Sequence, residues 1–260
     1  MRLKQQKSSG ITIAFIRSLA LICAAVGIIA LSVLARGVLG LHAGTSEQEM
    51  TALFTNEQSR NYIIVYFICL GVQACAVPLF GLLLVEGSLH TKDFSKYLMR
   101  TLAIALICEI PFDLATQGVW LDLTSLNPVF GTFFTLLMLM FFLRYPDNSF
   151  GSVLLRILIT AAVVLWTTSI ININEGACLV LITSALWNFR EKPVLRLIVG
   201  SVACVACWLL FGLFYYAAAP LAVILIHFYT GEKGPDFKAA RLVAYPAILL
   251  LAAMAVTLAF

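Results

Sequence analysis

Residues Leu98 to Val119 read LMRTLAIALICEIPFDLATQGV, a stretch long enough to cross a bilayer that carries two carboxylates, Glu109 and Asp113, in its second half. A transmembrane helix needs roughly 20 predominantly apolar residues. An acid at that depth costs on the order of 2.5–3.5 kcal/mol on insertion scales unless a partner or a water-lined cavity receives it. Being four residues apart, the two acids share one face of a helix, and Pro111 between them removes a backbone donor and favours a kink. Such a face looks inward. Three roles fit it: a structural network with polar groups of other helices, a general base or histidine orienter in group transfer, or a proton or cation relay.

The rest of the chain sets the context of that stretch. Hydrophobic residues make up 62% of the 260 and charged residues 12%, with a mean hydropathy of +0.99. A soluble domain carries roughly 25% charged residues, so the composition is that of a polytopic membrane protein. The longest polar stretches, Met1 to Gly10 and His42 to Asn61, are too short to bury a core of their own. One integral domain over residues 1–260 is the expected organisation. The basic lead Arg2, Lys4, Lys7 and Arg17 precedes an apolar run to about Ala35, longer than a secretory h-region, which reads as an uncleaved first span, with a cleaved signal peptide as the alternative. All seven cysteines fall in apolar segments, where the small polarizable side chain packs between helices. Cys204 and Cys207 have CxxC spacing but lack a second ligand pair, and no metal-ligand pattern, Walker loop or GxSxG occurs in the chain.

Counting apolar segments gives about nine spans: Ser18–Ala35, Tyr62–Val85, Leu98–Val119, Pro128–Leu143, Ser152–Ile170, Asn174–Trp187, Val194–Phe211, Phe214–Phe228 and Leu242–Phe260. Val194–Phe228 is too long for one straight crossing and is split near Gly212. Asn127 before Pro128 is a helix-start signature. The distribution of bases tests the count. With the N-terminus cytoplasmic, one side collects fifteen of the seventeen, leaving only Arg36 and Arg60 opposite, as the positive-inside rule requires. The prediction is an all-α polytopic transmembrane bundle of about nine spans, N-terminus cytoplasmic, in a cell membrane. The net charge of +4 then reflects cytoplasmic loops rather than a nucleic-acid surface. Those bases also suit anionic lipid headgroups or a phosphorylated cosubstrate.

Val85 to Arg100 reads as the first cytoplasmic loop and contains Glu86, His90, Lys92, Lys96 and Arg100 just before the acidic helix. Phosphate held there would leave chemistry to occur deeper. His90 and His227 are candidate bases near the cytoplasmic side, whereas His42 lies in the opposite loop. Asn172, Asn174 and Glu175 read as polar caps at the outer ends of the fifth and sixth spans.

These residues occur in a recognisable order. Pro78-Leu79-Phe80, Leu84-Val85-Glu86-Gly87, His90-Thr91, Lys96-Tyr97-Leu98, Arg100, Glu109 to Ala115 and Phe133-Phe134-Thr135-Leu136 resemble the TraX family of small multi-pass proteins. Glu175-Gly176-Ala177, Tyr229 to Gly234 and Tyr245-Pro246 continue the order. The resemblance implies a membrane acyltransferase-like bundle, associated with acetylation of conjugative pilin, that takes acyl groups from a cytoplasmic coenzyme A donor. It implies a polar centre of Glu109 and Asp113, with His90 or His227 entering as base and Glu86 among the matching polar residues. Lys92, Lys96, Arg100 and Lys233 would receive the phosphates of acyl-CoA. A pilin-like peptide or small acceptor and membrane lipids are the implied partners. Two departures stand out. The family usually carries an Asp-His pair in the first span, where this chain has Gly27-Ile28, and a histidine soon after the last Tyr-Pro, where it reads Tyr245-Pro246-Ala247-Ile248-Leu249. Imidazole is the usual proton carrier near neutrality, so the reaction itself is open. The competing expectations are a non-catalytic membrane component that binds lipid, peptide or a partner protein, and a small secondary transporter.

Overall fold

The computed structural model describes residues 11–41, 53, 55–124, 126–147, 149–232 and 238–259. Their architecture is helical, and among them the extended pairing is a single isolated bridge between Ile11 and Tyr229. Helix α1, Ile13–Ile29, begins where the Thr12 hydroxyl accepts the Phe15 N–H, and it runs on without interruption into a π-helical stretch, Ala30–Val38. There follow α2 (Glu57–His90), α3 (Phe94–Thr116), α4 (Val129–Arg144), α5 (Phe150–Ser169), α6 (Asn174–Asn188) and α7 (Pro193–Phe211). A 3₁₀ turn, Phe214–Ala218, leads to the short α8 (Pro220–His227), and α9 (Lys238–Ala259) closes the described chain.

Each of the nine apolar segments contains helix, and local chemistry accounts for several boundaries. Asp93 caps α3 by accepting the Lys96 N–H at 3.0 Å, and Ser149 caps α5. The Asn127 side chain accepts the Val129 N–H at 2.9 Å, which fixes the start of α4 at the Asn-Pro signature. The expected break at Gly212 is present. This residue ends α7 at φ +69°, a left-handed conformation open to glycine without a Cβ penalty. The eighth segment differs from a straight helix, because Pro220 restarts the chain after the 3₁₀ turn.

Among the described residues, four helical stretches are long and apolar enough to cross a bilayer: Ile13–Val38, Ser59–His90, Phe150–Ser169 and Pro193–Phe211. Helix α3 has the length, 23 residues, but Lys96, Arg100, Glu109 and Asp113 interrupt its apolar character. Helix α6, with 15 residues, reaches only about 22 Å at 1.5 Å per residue, short of the roughly 30 Å hydrocarbon core.

The loop expected over Val85–Arg100 is mostly helix. Helix α2 continues through His90, and only Thr91, Lys92 and Asp93 separate it from α3. No Pro or Gly falls between Ser88 and His90 to stop α2, and the Asp93 cap then starts the next helix.

Packing centres on α6, which touches α2, α4, α5 and α7 and buries ten of its residues, Trp187 the largest among them. One apolar cluster gathers around it, with Leu79, Leu136, Phe142, Ile182 and Cys204 at its heart. A second, smaller cluster joins Ile28 of α1, Cys108 and Ala115 of α3, and Leu249 and Ala253 of α9. Between the two lies the cavity described below.

Candidate functional site

Glu109 and Asp113 are buried, with 4% and 0% of their surface exposed. Their partners are the connection between α3 and α4. Glu109 Oε2 accepts the Asn127 N–H at 3.1 Å and also takes the Asn127 side-chain amide, which donates in turn to the Ala105 carbonyl at 2.9 Å. Asp113 Oδ2 accepts the Asp122 N–H at 2.8 Å, and its own carbonyl receives Gln117 and Gly118. The Arg36 guanidinium donates to the Leu114 and Ala115 carbonyls, placing a cation at the C-terminal end of α3 where the helix dipole favours it. The acid pair therefore ties a connecting segment to the helix that precedes it. Neither acid borders the main cavity.

The histidines lie elsewhere. His90 is exposed at the end of α2, its Nδ1 2.9 Å from the Glu86 carbonyl and 3.5 Å from that residue's carboxylate. Glu109 is roughly 22 Å along α3 from its first residue, by the rise per residue, so His90 and Glu109 belong to different levels of the bundle. His227 ends α8, half-buried against Phe228, with Nδ1 enclosed and unpartnered. Neither ring borders the cavity. Lys92 and Arg100 are exposed, and Lys96 pairs with Asp93 at 2.9 Å. The Lys96 ammonium and backbone N–H together hold the Asp93 carboxyl below its ordinary range. Lys233 and His42 lie outside the described residues. Among the described residues no group of three or more His, Cys, Asp or Glu is placed to hold a metal ion.

The cavity has a volume of about 270 Å³ and draws its walls from α1, α2, α3, α4, α6 and α9. Leu21, Ala24, Val77, Phe80 and Ile104 make most of the lining apolar, and Glu175 is the one carboxylate that borders it. Glu175 stands in the first turn of α6. Both its oxygens lie 3.2 Å from Gln73 Nε2, and Tyr215 donates its hydroxyl to Oε1 at 3.3 Å. Gln73 is near the midpoint of the 34-residue α2, so Glu175 is level with the middle of the longest helix. The structure thus places Glu175 inside the bundle rather than at an outer cap.

Two glycine contacts make this arrangement possible. Gly176 faces Gly131 of α4 so closely that a Cβ on Gly176 would meet the Gly131 Cα at 2.9 Å, and α6 can approach α4 only as bare backbone. Gly27 leaves the space that the Gln73 side chain fills. One of the two positions where the family resemblance expects an imidazole lies here, since Ile28 lines the cavity, and Tyr245, just before the other, lines it too. Gln73 Oε1, enclosed and without a hydrogen-bond partner, is the remaining acceptor beside the carboxylate.

Sequence reasoning read Glu175 as an outer cap and a motif residue rather than as a site residue, and did not single out Gln73 or Tyr215. The available signal was the acid-glycine pair Glu175-Gly176 opening a helix too short to span a bilayer, since a short buried helix puts its first turn inside the protein.

A family model described as TraX protein matches residues 50–256, and the chain belongs to that family. No curated protein and no solved structure matches it.

Proposed function

We propose that this TraX-family protein transfers an acyl group within the cytoplasmic membrane, with acyl-CoA as donor and Glu175 as the acid–base group. The observation that carries the reading is the Glu175 carboxylate, bordering an apolar cavity and oriented by Gln73 and Tyr215. A carboxylate fixed by two donors on one side and open on the other is arranged as a general base. Thr101 and Leu21 mark one end of the cavity. Arg100 immediately precedes Thr101, and Lys96 and Arg17 stand about one turn before Thr101 and Leu21. Phosphates of the donor rest on this basic rim, Lys92 included, and its thioester arm runs inward past Leu21, Ala24 and Ile104. At Glu175 the nucleophile of the acceptor, a pilin-like peptide or a small molecule, attacks the thioester carbonyl. Its proton passes to the carboxylate as the new bond forms. The C–S bond breaks, and the departing sulfur takes the proton from Glu175. Glu109 and Asp113 hold the α3–α4 connection that carries Pro128 and Val129 into the cavity wall.

Transfer from radiolabelled acyl-CoA by the protein in nanodiscs tests the assignment. Glu175→Gln is expected to lower the rate by about 10²–10⁴-fold, the usual range for a general base, whereas Glu109→Gln and His90→Ala leave it within a few-fold. Unchanged transfer in Glu175→Gln removes the proposal. A second reading, a non-catalytic component that binds lipid, peptide or a partner, is favoured by one observation: neither His90 nor His227 borders the cavity. That reading predicts ligand binding with no thioester turnover.

A further inference from the structure

Tyr215 has two faces. Its hydroxyl reaches inward to Glu175, and its ring forms part of the wall of a second hollow, open to the outside of the bundle. This groove has a volume of about 560 Å³ and runs between the first half of α2 and the 3₁₀ turn that precedes α8. Gly71, Cys75, Ala217 and Ala218 make a low floor, while Ile64, Ile68, Phe214 and Leu221 stand along the sides. It exists because the 3₁₀ turn is too short to cover α2. Phe67 and Phe214 meet edge to face at one end, with ring centroids 4.9 Å apart.

The chemistry of the lining selects the occupant. Both polar side chains in it are turned away: the Cys75 thiol donates to the Gly71 and Ala218 carbonyls, at 3.5 and 3.4 Å, and the Tyr215 hydroxyl donates to Glu175. The groove therefore offers hydrocarbon alone. A 150 Å³ apolar cavity takes the six carbons of benzene, so 560 Å³ corresponds to roughly twenty carbons. A partner helix of about 10 Å diameter lying along Ile64 to Cys75, roughly 16 Å, would fill on the order of 1200 Å³.

We propose that the groove holds one acyl chain of a bilayer lipid, and that Tyr215 conveys its occupancy to Glu175. The coupling rests on the acyl-transfer reading of Glu175; the lipid site does not. A chain lying in the groove packs against the Tyr215 ring and fixes its hydroxyl on the carboxylate, and an empty groove leaves the ring free to turn outward.

The probe is a phosphatidylethanolamine with a diazirine near the end of one chain, incorporated in nanodiscs around the full-length protein, with labelled peptides mapped by mass spectrometry. Labelling is expected to concentrate on 64–75 and 214–221, and to fall by roughly ten-fold in Ile68→Trp, which fills the groove from a position already 63% exposed. Leu221→Trp, at 62% exposure, repeats the test from the opposite wall. Glu175→Gln keeps the labelling. If transfer is absent from the wild type while the labelling pattern holds, the acyl-transfer reading fails and the lipid site stands. Labelling no stronger than on the outward face of α5, or labelling that falls outside 64–75 and 214–221, overturns the site. Transfer by the wild type is expected to vary with lipid chain length, and Tyr215→Phe to keep the lipid label and lose that variation; a wild type indifferent to chain length, or a variant that still responds to it, overturns the coupling.

Discussion

The α3–α4 connection and the first turn of α6 each place a carboxylate inside the bundle, and the two are employed differently. Glu109 and Asp113 face backbone N–H groups of Asn127 and Asp122, donors that belong to a chain segment needing an anchor. Glu175 faces the side chains of Gln73 and Tyr215 on one side and a cavity on the other. Burial is common to both regions. What separates them is the cavity of about 270 Å³, which Glu175 borders and the other two acids do not, and a substrate held in that cavity meets Glu175 alone of the three. An acid's role in a membrane protein follows from what stands opposite it, more than from the cost of placing it there.

The widest separation between the two regions is expected in the proposed transfer activity: Glu175→Gln should remove most of it, and Glu109→Gln, whose amide oxygen still accepts from Asn127, should leave it. Equal losses in the two variants would erase the distinction. The backbone crossing that positions Glu175 is the next place to press. Gly176→Val sets a branched side chain against Gly131 and Ile173, and it is expected to cost about 1–3 kcal/mol by overpacking. By shifting the carboxylate about 1 Å it should also lower transfer by roughly 10²-fold. Retained thermal stability together with full transfer would show that the close crossing is dispensable.

The latch itself should respond in stability. Asp113→Ala leaves the Asp122 N–H without its acceptor, and Glu109→Ala does the same to Asn127. Each is expected to lower stability by about 1–3 kcal/mol, the penalty for orphaning a buried donor, while acyl-CoA binding to the folded fraction stays intact. Hydrogen exchange across 117–128 should rise in both variants. If exchange rises around 173–177 instead, the acids support the cavity directly.

The smallest effect concerns the cap of α3. Asp93 is held below its ordinary carboxyl range by Lys96, so its contribution is fully present above the unfolded-state value, about 3.9, and is lost as pH falls through the depressed folded-state value. Acidification should therefore increase exchange at the start of α3 in the wild type. Asp93→Asn keeps a capping oxygen but removes that pH dependence. An identical acid response in both proteins would assign it to another group.

Several elements were legible in the sequence because their causes are local. The Asn127-Pro128 start of α4, the Gly212 break and the apolar lengths of α1, α2, α5 and α7 each follow from residues adjacent in the chain. The Val85–Arg100 region misled because its charges resemble a loop, while nothing in it stops α2 before His90. Glu109 and Asp113 stood out for their isolation in an apolar run. Glu175 did not, because beside Asn172 and Asn174 it resembles an ordinary polar helix start.

The sequence alone determined a helical membrane chain, its main breaks and its TraX membership, since hydropathy, turn chemistry and motif order are properties of neighbours along the chain. Only the tertiary structure decided which carboxylate borders the cavity between α1, α2, α3, α4, α6 and α9. Gln73 and Tyr215 lie 102 and 40 residues from Glu175, and periodicity specifies the face a side chain occupies, but not what another helix, packed through Gly131 and Gly176, brings opposite it.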